Sequence, residues 1–318
     1  YSRVRQTQFR CLSLAFGKLF STIKGFTVQQ SEWTYVPNCR IPSEQRLPAD
    51  ISRYAAIVSY DGGDFCGFQK QKHSPSVQSV IESALSYVAN ELIIVGCAGR
   101  TDTGVHASHQ VVHFDTKVIR TGRNWVMGAN SQLPDSVSLM WADRVTQDFH
   151  ARFSATARTY RYVIAAQKTR PAILSNGITW VKNTLNVQAM DRACEHLLGE
   201  QDFSAFRGSG CQSLSPSRNV ESAQVYESGQ LVVFEVTANA FVLHMVRNIV
   251  GSLIEIGLQR QEPAWIGELL KGRDRRKSAP TASPCGLYLV DVRYPELHDL
   301  PTSPRGPVFL NNNLAGGV

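Results

Sequence analysis

Residues 99–114, GRTDTGVHASHQVVHF, join a glycine-flanked polar loop to a strand. The glycines around Arg100 and Asp102 permit backbone conformations closed to other residues and let a substrate approach closely. A carboxylate beside a guanidinium stays ionised, which suits Asp102 to act as a nucleophile, although a turn with a surface ion pair is the alternative. Alternation over residues 111–115 predicts a strand directly after the loop.

The chain before this loop alternates between strand and helix. Residues 54–60 are rich in β-formers and end at an Asp-Gly-Gly turn signal. Apolar residues then recur at helical spacing over 77–88, and residues 92–95 form a short apolar strand candidate. The first half is therefore predicted to run strand, helix, strand, loop and strand.

The second half repeats these elements. We predict strands over 158–165, 220–226, 231–236 and 286–294, and helices after Asn186, over 244–256 and over 263–272. Two strand-and-helix halves of similar size indicate an α+β architecture, with helices packed on a mixed or antiparallel sheet. We assign the halves to residues 53–157 and 158–294, followed by an extended tail over 295–318.

Residues 1–52 differ in composition from the rest of the chain. They carry +4 of the formal net charge of +7, and no acidic residue occurs up to Gln30. This composition resembles an organelle presequence, but translated sequence upstream of the true start also fits and is favoured. We expect an N-terminal extension that is either disordered or upstream sequence.

Bulk properties narrow the class of protein. Seven widely spaced cysteines without a Cys-x-x-Cys pair indicate free thiols in a reducing compartment, so we expect the protein in the cytoplasm. No apolar run approaches the roughly 18 residues of a membrane span, which predicts no membrane partner. Phosphate-binding glycine motifs do not occur, and we expect neither a cofactor nor a metal.

Three histidines near the loop are candidate metal ligands, and one carboxylate is a candidate second acid. The spacing of His106, His109 and His113 would suit a metal site on a helix, but this stretch is predicted to be loop and strand. Structural or surface histidines are therefore favoured. Asp115 is the nearest second acid, and no motif surrounds it, so the sequence offers no convincing acid/base pair.

Two further stretches carry aromatic or basic side chains. On the strand over 158–162, Tyr160 and Tyr162 point to one face, and Thr159 and Arg161 to the other. A tyrosine can stack on a flipped base and arginines can hold phosphates; the alternative is a solvated strand face with two core tyrosines.

Arg247 lies in an otherwise apolar helix, where a buried guanidinium needs an anionic partner. Asp102 is one candidate for this partner. Glu255 is another, but it lies eight positions away, beyond the reach of one helix turn. A third alternative is that the Arg247 side chain extends along the helix and places its guanidinium in solvent. The spacing favours a partner from elsewhere in the fold.

Taken together, these segments resemble a known family. Residues 98–106, followed by 110–114, resemble the signature of the TruA family of tRNA pseudouridine synthases. Supporting segments lie at 60–62, 67–69, 149–161, 199–206, 239–251 and 286–289. Order and spacing agree from about Arg53 to Leu310, so only the first fifty residues fall outside the resemblance.

The resemblance implies isomerisation of uridine to pseudouridine in the anticodon arm of tRNA, at positions 38, 39 and 40, without cofactor or metal. Asp102 would be the nucleophile, attacking either the ribose C1′ or the base C6. Arg100 would help to extrude the target nucleotide, because a stacked uridine is out of reach. Tyr160 would stack on the uracil or assist proton removal at C5, and Arg247 would pair with Asp102.

The resemblance also implies a substrate surface and an assembly. Arg120 and Arg152 match positions that contact tRNA, Leu287 matches one that lines the uracil pocket, and Lys168 replaces an arginine. Lysine keeps the charge but loses the bidentate fork. The implied fold is two ferredoxin-like halves sharing a continuous sheet, in a homodimer that binds the tRNA anticodon stem-loop.

Thr103 and Phe68 also depart from the usual alanine and tryptophan of the family, and neither change touches Asp102. Two rival functions remain: a non-catalytic tRNA-binding or folding protein, and an aspartate-dependent RNA glycosidase. The first would not need Asp102, and the second would need a further positioned acid.

Overall fold

The computed structural model describes residues 47–298, 300–302 and 305–310. The predicted N-terminal extension lies outside the described residues as far as residue 46. The strands are β1 Ser52–Tyr60, β2 Val95–Cys97, β3 His106–Thr116, β4 Val137–Val145, β5 Ala157–Ala166, β6 Thr179–Val181, β7 Gly199–Asp202, β8 Ser217–Ser228, β9 Leu231–Ala238 and β10 Leu287–Arg293. The helices are α1 Val77–Ala89, α2 Gly122–Asn130, α3 Val187–Cys194, α4 Met245–Gly257 and α5 Trp265–Gly272.

All ten strands form one sheet in the order β4-β1-β3-β10-β5-β9-β8-β7, with β2 paired to β3 and β6 paired to β5. In the first half, β1-α1-β2-β3-α2-β4 gives the spatial order β4-β1-β3-β2, with antiparallel neighbours. In the second half, β5-α3-β8-β9-α4-β10 gives the equivalent order β10-β5-β9-β8. This repeated βαββαβ pattern is the ferredoxin-like unit, which confirms the predicted fold class.

The two units meet where β3 and β10 pair in parallel, at Tyr288 with His106 and Leu289 with Ala107. This junction lies immediately after the glycine-flanked loop that precedes β3 and at the start of β10. The sheet is therefore continuous across the place where the candidate catalytic residues of both halves converge.

Three elements of the first half differ from expectation. The sequence did not predict α2 or β4, and the strand expected over 92–95 begins only at Val95. Leu92 and Ile94 are exposed and only Ile93 between them is buried, so the residues before Val95 form a loop anchored by one side chain rather than a buried strand. In α2, only Trp125 and Ala129 are buried, which leaves too few apolar positions for a helical repeat.

Helices pack on one face of the sheet, where the Trp125 ring contacts Tyr54 and Phe114 edge-on, with centroid distances of 5.5 and 5.0 Å. On the opposite face, the described part of the tail covers the second half, and Leu310 is buried beside Val163 and Tyr288. Within the described residues, no helix is both long and apolar enough to cross a membrane.

The tail also explains the polar face of β5. Arg161 binds Glu235 at 2.6 Å and donates to the backbone oxygens of Arg305 and Gly306. The alternative of a solvated strand face is therefore wrong, because Arg161 is buried under the tail. Its guanidinium is occupied by protein groups rather than available to a phosphate.

Candidate active site

The loop that carries Asp102 is held by buried side chains from the neighbouring strands. Gln110 of β3 donates to the Gly99 oxygen at 2.6 Å and accepts from the Gly99 nitrogen at 3.3 Å. The Tyr60 hydroxyl lies 2.8 Å from Thr101 Oγ1. Polar contacts on both sides of Arg100 therefore fix the backbone from which Asp102 projects.

A second loop, after β1, packs against the first so closely that two of its residues must be glycine. Gly67 has a φ of +93°, and an added Cβ would lie 2.9 Å from the Thr101 oxygen. At Gly62, the Cβ would lie 2.0 Å from the Val105 oxygen. These contacts leave the Asp102 loop little freedom to move.

Asp102 faces the start of α4, which comes from the second half of the chain. Arg247 Nη1 lies 3.6 Å from Asp102 Oδ2, and His244 Nε2 lies 3.4 Å from the same oxygen. The Arg247 side chain is 15 % exposed and that of Asp102 is 29 % exposed. Arg247 is fixed by a 2.8 Å bond from its Nε to the Ala282 oxygen.

This arrangement answers the question of which anion faces Arg247. Glu255, the alternative partner, instead binds Arg260 at 3.1 Å. The tertiary partner expected from the apolar helix is Asp102. Although the two residues are distant in sequence, the shared sheet brings their segments together.

Tyr160 of β5 lies beneath the Asp102 loop and is only 8 % exposed. Its ring packs edge-on against Phe241, with centroids 5.0 Å apart, and its hydroxyl lies close to Gly99. Burial raises the pKa of Tyr160, so the phenol is neutral near pH 7. A neutral ring at this position suits stacking on a base better than direct proton abstraction by a phenolate.

Leu287 is buried at the start of β10 and pairs with Tyr162, two residues along β5 from Tyr160. Residues two apart on a strand share a face. Leu287 therefore lies on the same face of the sheet as Tyr160, as a residue lining an apolar pocket would.

The four basic residues predicted to contact RNA are all exposed, but they lie in different places. Burial raises the pKa of Cys97 to about 11, and the guanidinium groups of Arg100 and Arg152 act against that shift. Both arginines therefore lie within electrostatic range of the end of β2. Arg120 follows β3, whereas Asp102 precedes that strand.

Lys168 lies just beyond the C-terminal end of β5. At about 3.3 Å per residue, Ala166 at the end of β5 lies about 20 Å along the strand from Tyr160. The structure therefore brings together Asp102, Arg247 and Tyr160, with Arg100 on the same loop, and leaves Lys168 at a distance.

Other candidates from the sequence have structural roles. Asp115 is bound by Arg53 through two hydrogen bonds of 2.7 and 2.8 Å. His106, His109 and His113 are buried, and His106 lies between the Gly62 nitrogen and the Cys285 oxygen. In the described part of the chain, no group of three or more His, Cys, Asp and Glu residues could hold a metal ion.

His244 is the site residue that the sequence interpretation missed. It precedes Arg247 by three positions, so both side chains can face the same way from the first turn of α4. That i, i+3 spacing was a usable signal. The left-handed backbone of His244, with a φ of 59°, was not visible in the sequence.

The fold and the site define an enzyme of two ferredoxin-like halves, with a single carboxylate presented beside cationic side chains. A family model described as tRNA pseudouridine synthase matches residues 56–154 and 193–295. The chain therefore belongs to the tRNA pseudouridine synthase family, and it is an isomerase.

Individual relatives agree with this assignment. The tRNA pseudouridine synthase A of Pasteurella multocida is 53% identical over 262 residues, covering 82% of this chain and 99% of its own. That of Shewanella woodyi is 53% identical over 258 residues, covering 81% and 99%. That of Escherichia coli O9:H4 is 50% identical over 268 residues, covering 84% and 99%.

A crystal structure of a Cbf5-Nop10-Gar1 complex aligns with a TM-score of 0.30 at 13% identity, covering 74% of this chain and 48% of that one. That likeness is too low to support an argument, and the assignment depends on the sequence relatives.

Proposed function

We propose that this protein converts uridine to pseudouridine in the anticodon arm of tRNA, at positions 38, 39 and 40, with Asp102 as the nucleophile. The observation that carries the proposal is the position of the Asp102 carboxylate, on a tightly held loop and within 3.6 Å of Arg247. The cation faces the carboxylate group that would attack the nucleotide.

The reaction needs no co-reactant. The bond between uracil N1 and ribose C1′ breaks, the base turns, and a bond forms between C5 and C1′. One proton leaves C5 and one is gained at N1, so atoms and electrons balance within the nucleotide and solvent. Attack by Asp102 at C1′ and attack at C6 both satisfy this balance.

The remaining residues take roles in holding the flipped nucleotide. Arg100, exposed two residues before Asp102, would fill the space that the extruded base leaves. Tyr160 and Leu287 would contact the uracil, and Arg152 would bind phosphate near the same opening. Arg120 and Lys168, farther along the strands, would bind the tRNA backbone outside the loop.

We also propose that the substrate is bound through its anticodon stem-loop by a homodimer in the cytoplasm. The exposed basic residues lie on several separate segments of one chain, which suits contact with an extended RNA backbone rather than with a single nucleotide. A dimer would double that basic surface.

The two rival functions make different demands on the site. A glycosidase of the usual kind needs a second carboxylate to protonate the leaving group or to activate water. Asp115, the candidate from the sequence, is bound at both oxygens by Arg53. A non-catalytic tRNA-binding protein would retain its function without the Asp102 carboxylate.

Replacing Asp102 with asparagine tests the proposal, because the amide keeps the size of the side chain but is not a nucleophile. We expect pseudouridine formation to fall roughly 10³-fold or more, as on loss of other nucleophiles, while tRNA binding persists. Carbodiimide labelling followed by primer extension would map the uridines in tRNA from a knockout strain complemented with each form.

Asp143→Asn is a matched control, because Asp143 is an exposed aspartate on β4. This variant should modify tRNA fully. Full modification by Asp102→Asn would refute the nucleophile, and modified uridines outside positions 38, 39 and 40 would refute the proposed target.

A further inference from the structure

Asp102 is contacted asymmetrically. Both His244 Nε2, at 3.4 Å, and Arg247 Nη1, at 3.6 Å, make their closest approach to Oδ2. In the described part of the chain no residue donates a hydrogen bond to either oxygen, so the asymmetry is one of charge. The two oxygens of the proposed nucleophile are therefore distinct before substrate binds, with the positive charge on one side.

His244 is held in this position by an uncommon backbone conformation. Its φ of 59° and ψ of 8° lie in the left-handed region, which non-glycine residues seldom adopt, although histidine does so more often than most. Its side chain does not cap the helix that begins after it. Strained residues that serve no local hydrogen bond cluster at functional sites.

The segment behind His244 is shaped to accept the ring. The Gly208 nitrogen donates to the Leu243 oxygen at 2.8 Å, which places Gly208 against the histidine. A Cβ on Gly208 would lie 3.0 Å from His244 Nδ1, so a larger residue would press on the imidazole. The left-handed turn and this glycine together direct Nε2 towards Asp102.

We propose that His244 is a positioning residue for Asp102: it shares Oδ2 with Arg247 and leaves Oδ1 to attack. This inference rests on the proposed function, because it requires Asp102 to be the nucleophile. The imidazole fixes the direction of the carboxylate through the 3.4 Å contact between its Nε2 and Oδ2.

The charged and titratable groups around His244 come from three segments. Asp102 faces it from the loop before β3, and Arg247 from α4. Behind it, Cys211 accepts from the Leu243 nitrogen at 3.4 Å, and Arg207 binds the Cys211 backbone oxygen.

Two substitutions test the orienting contact. His244→Gln keeps an N–H donor near the Nε2 position. His244→Asn suits the left-handed backbone, but its amide is too short to reach Asp102. His196→Gln is the matched control, because His196 packs against Gly267 of α5 instead of contacting Asp102.

The measurement is the single-turnover rate constant on a full-length tRNA transcript, together with kcat and KM, all at pH 7.5. For His196→Gln we expect the native values. For His244→Gln, which keeps the donor, we expect kcat and KM close to the native values. For His244→Asn we expect kcat to fall about 10²-fold, which is the cost of a misplaced reacting group.

A His244→Asn variant with native kcat and KM would overturn the inference, as would a His244→Gln variant as slow as His244→Asn. A His244→Asn variant that raises KM and leaves kcat unchanged would instead make His244 an RNA contact, which also overturns it. Melting temperatures of all variants identify loss through unfolding. An active Asp102→Asn enzyme would refute the proposed function itself; an inactive one, with a His244→Asn variant as active as the native protein, would refute only the role of His244.

Discussion

Replacing Arg158 with methionine tests how the second half of the chain holds the loop that carries Asp102. Arg158, at the start of β5, is buried, and its guanidinium donates to the backbone oxygens of four residues. These acceptors belong to Ala98, Arg152, Ala155 and Asn239. One guanidinium thus joins the start of the catalytic loop to the end of β9 and to the segment before β5.

The expected loss of stability follows from the backbone oxygens that no longer have a donor. Methionine keeps the apolar stem of the arginine but donates no hydrogen bond, so the four backbone oxygens lose a partner. At about 1 kcal/mol for each partly buried oxygen, the low end of the usual cost, the free energy of unfolding should fall by about 4 kcal/mol. For a domain of this size, that corresponds to a decrease in melting temperature of roughly 8–16 °C.

Removing the buried charge of Arg158 also has a stabilising effect, which opposes this loss. Burial lowers the pKa of Arg158, which means that the fold destabilises the charged form. Removing the charge relieves that cost, but the four partly buried oxygens still lose their donor. Replacing a buried ion is neutral only when its partners are replaced as well.

Urea denaturation followed by circular dichroism would measure the change. The matched control is Arg276→Met, because the Arg276 side chain is 90% exposed and its replacement should leave stability essentially unchanged. A loss at Arg158 below about 1 kcal/mol, or equal to that of the control, would refute the claim that this guanidinium secures the loop.

Two further predictions concern charge. Arg247→Ala should abolish most activity and lower the free energy of unfolding by about 1–2 kcal/mol, because it removes the bond to Ala282 and the contact to the partly exposed Asp102. Denaturation at pH 7.5 would check this, and an unchanged stability would contradict the pairing. Burial lowers the pKa of His113 from 6.5 to about 3, so the unfolded chain takes up this proton first as pH falls. Its contribution to stability is complete above pH 6.5 and is lost as the pH falls towards 3, at about 1.4 kcal/mol per pH unit. Between pH 7 and pH 5, the free energy of unfolding of His113→Gln should therefore fall by roughly 2 kcal/mol less than that of the native protein, measured by urea denaturation at each pH. An equal decrease in the two proteins would contradict this prediction.

Local sequence patterns determined most elements of the fold. Helical spacing located α1, and Asn186 caps α3 as expected, its side chain accepting from the Ala189 nitrogen. The two similar halves were also evident, because each contains the same succession of strands and helices. These features depend on residues close in sequence, where periodicity and capping act directly.

β4 shows why some elements were missed. Val137 and Leu139 alternate as a strand should, but the pairing with β1 shifts register between Leu139 and Trp141. The residue inserted there, Met140, is exposed, and the alternation that would identify the strand is interrupted. A bulge is specified by the partner strand as much as by the strand itself.

For the site, the sequence by itself determined the glycine-flanked loop with Asp102, and it indicated that Arg247 needs a distant anion. Only the tertiary structure decided that His244 joins Arg247 at one oxygen of Asp102. The reason is physical: a turn or a helix face is set by neighbours along the chain. The meeting of the loop with α4 depends instead on the pairing of β3 with β10 and on a left-handed residue that no local pattern encodes.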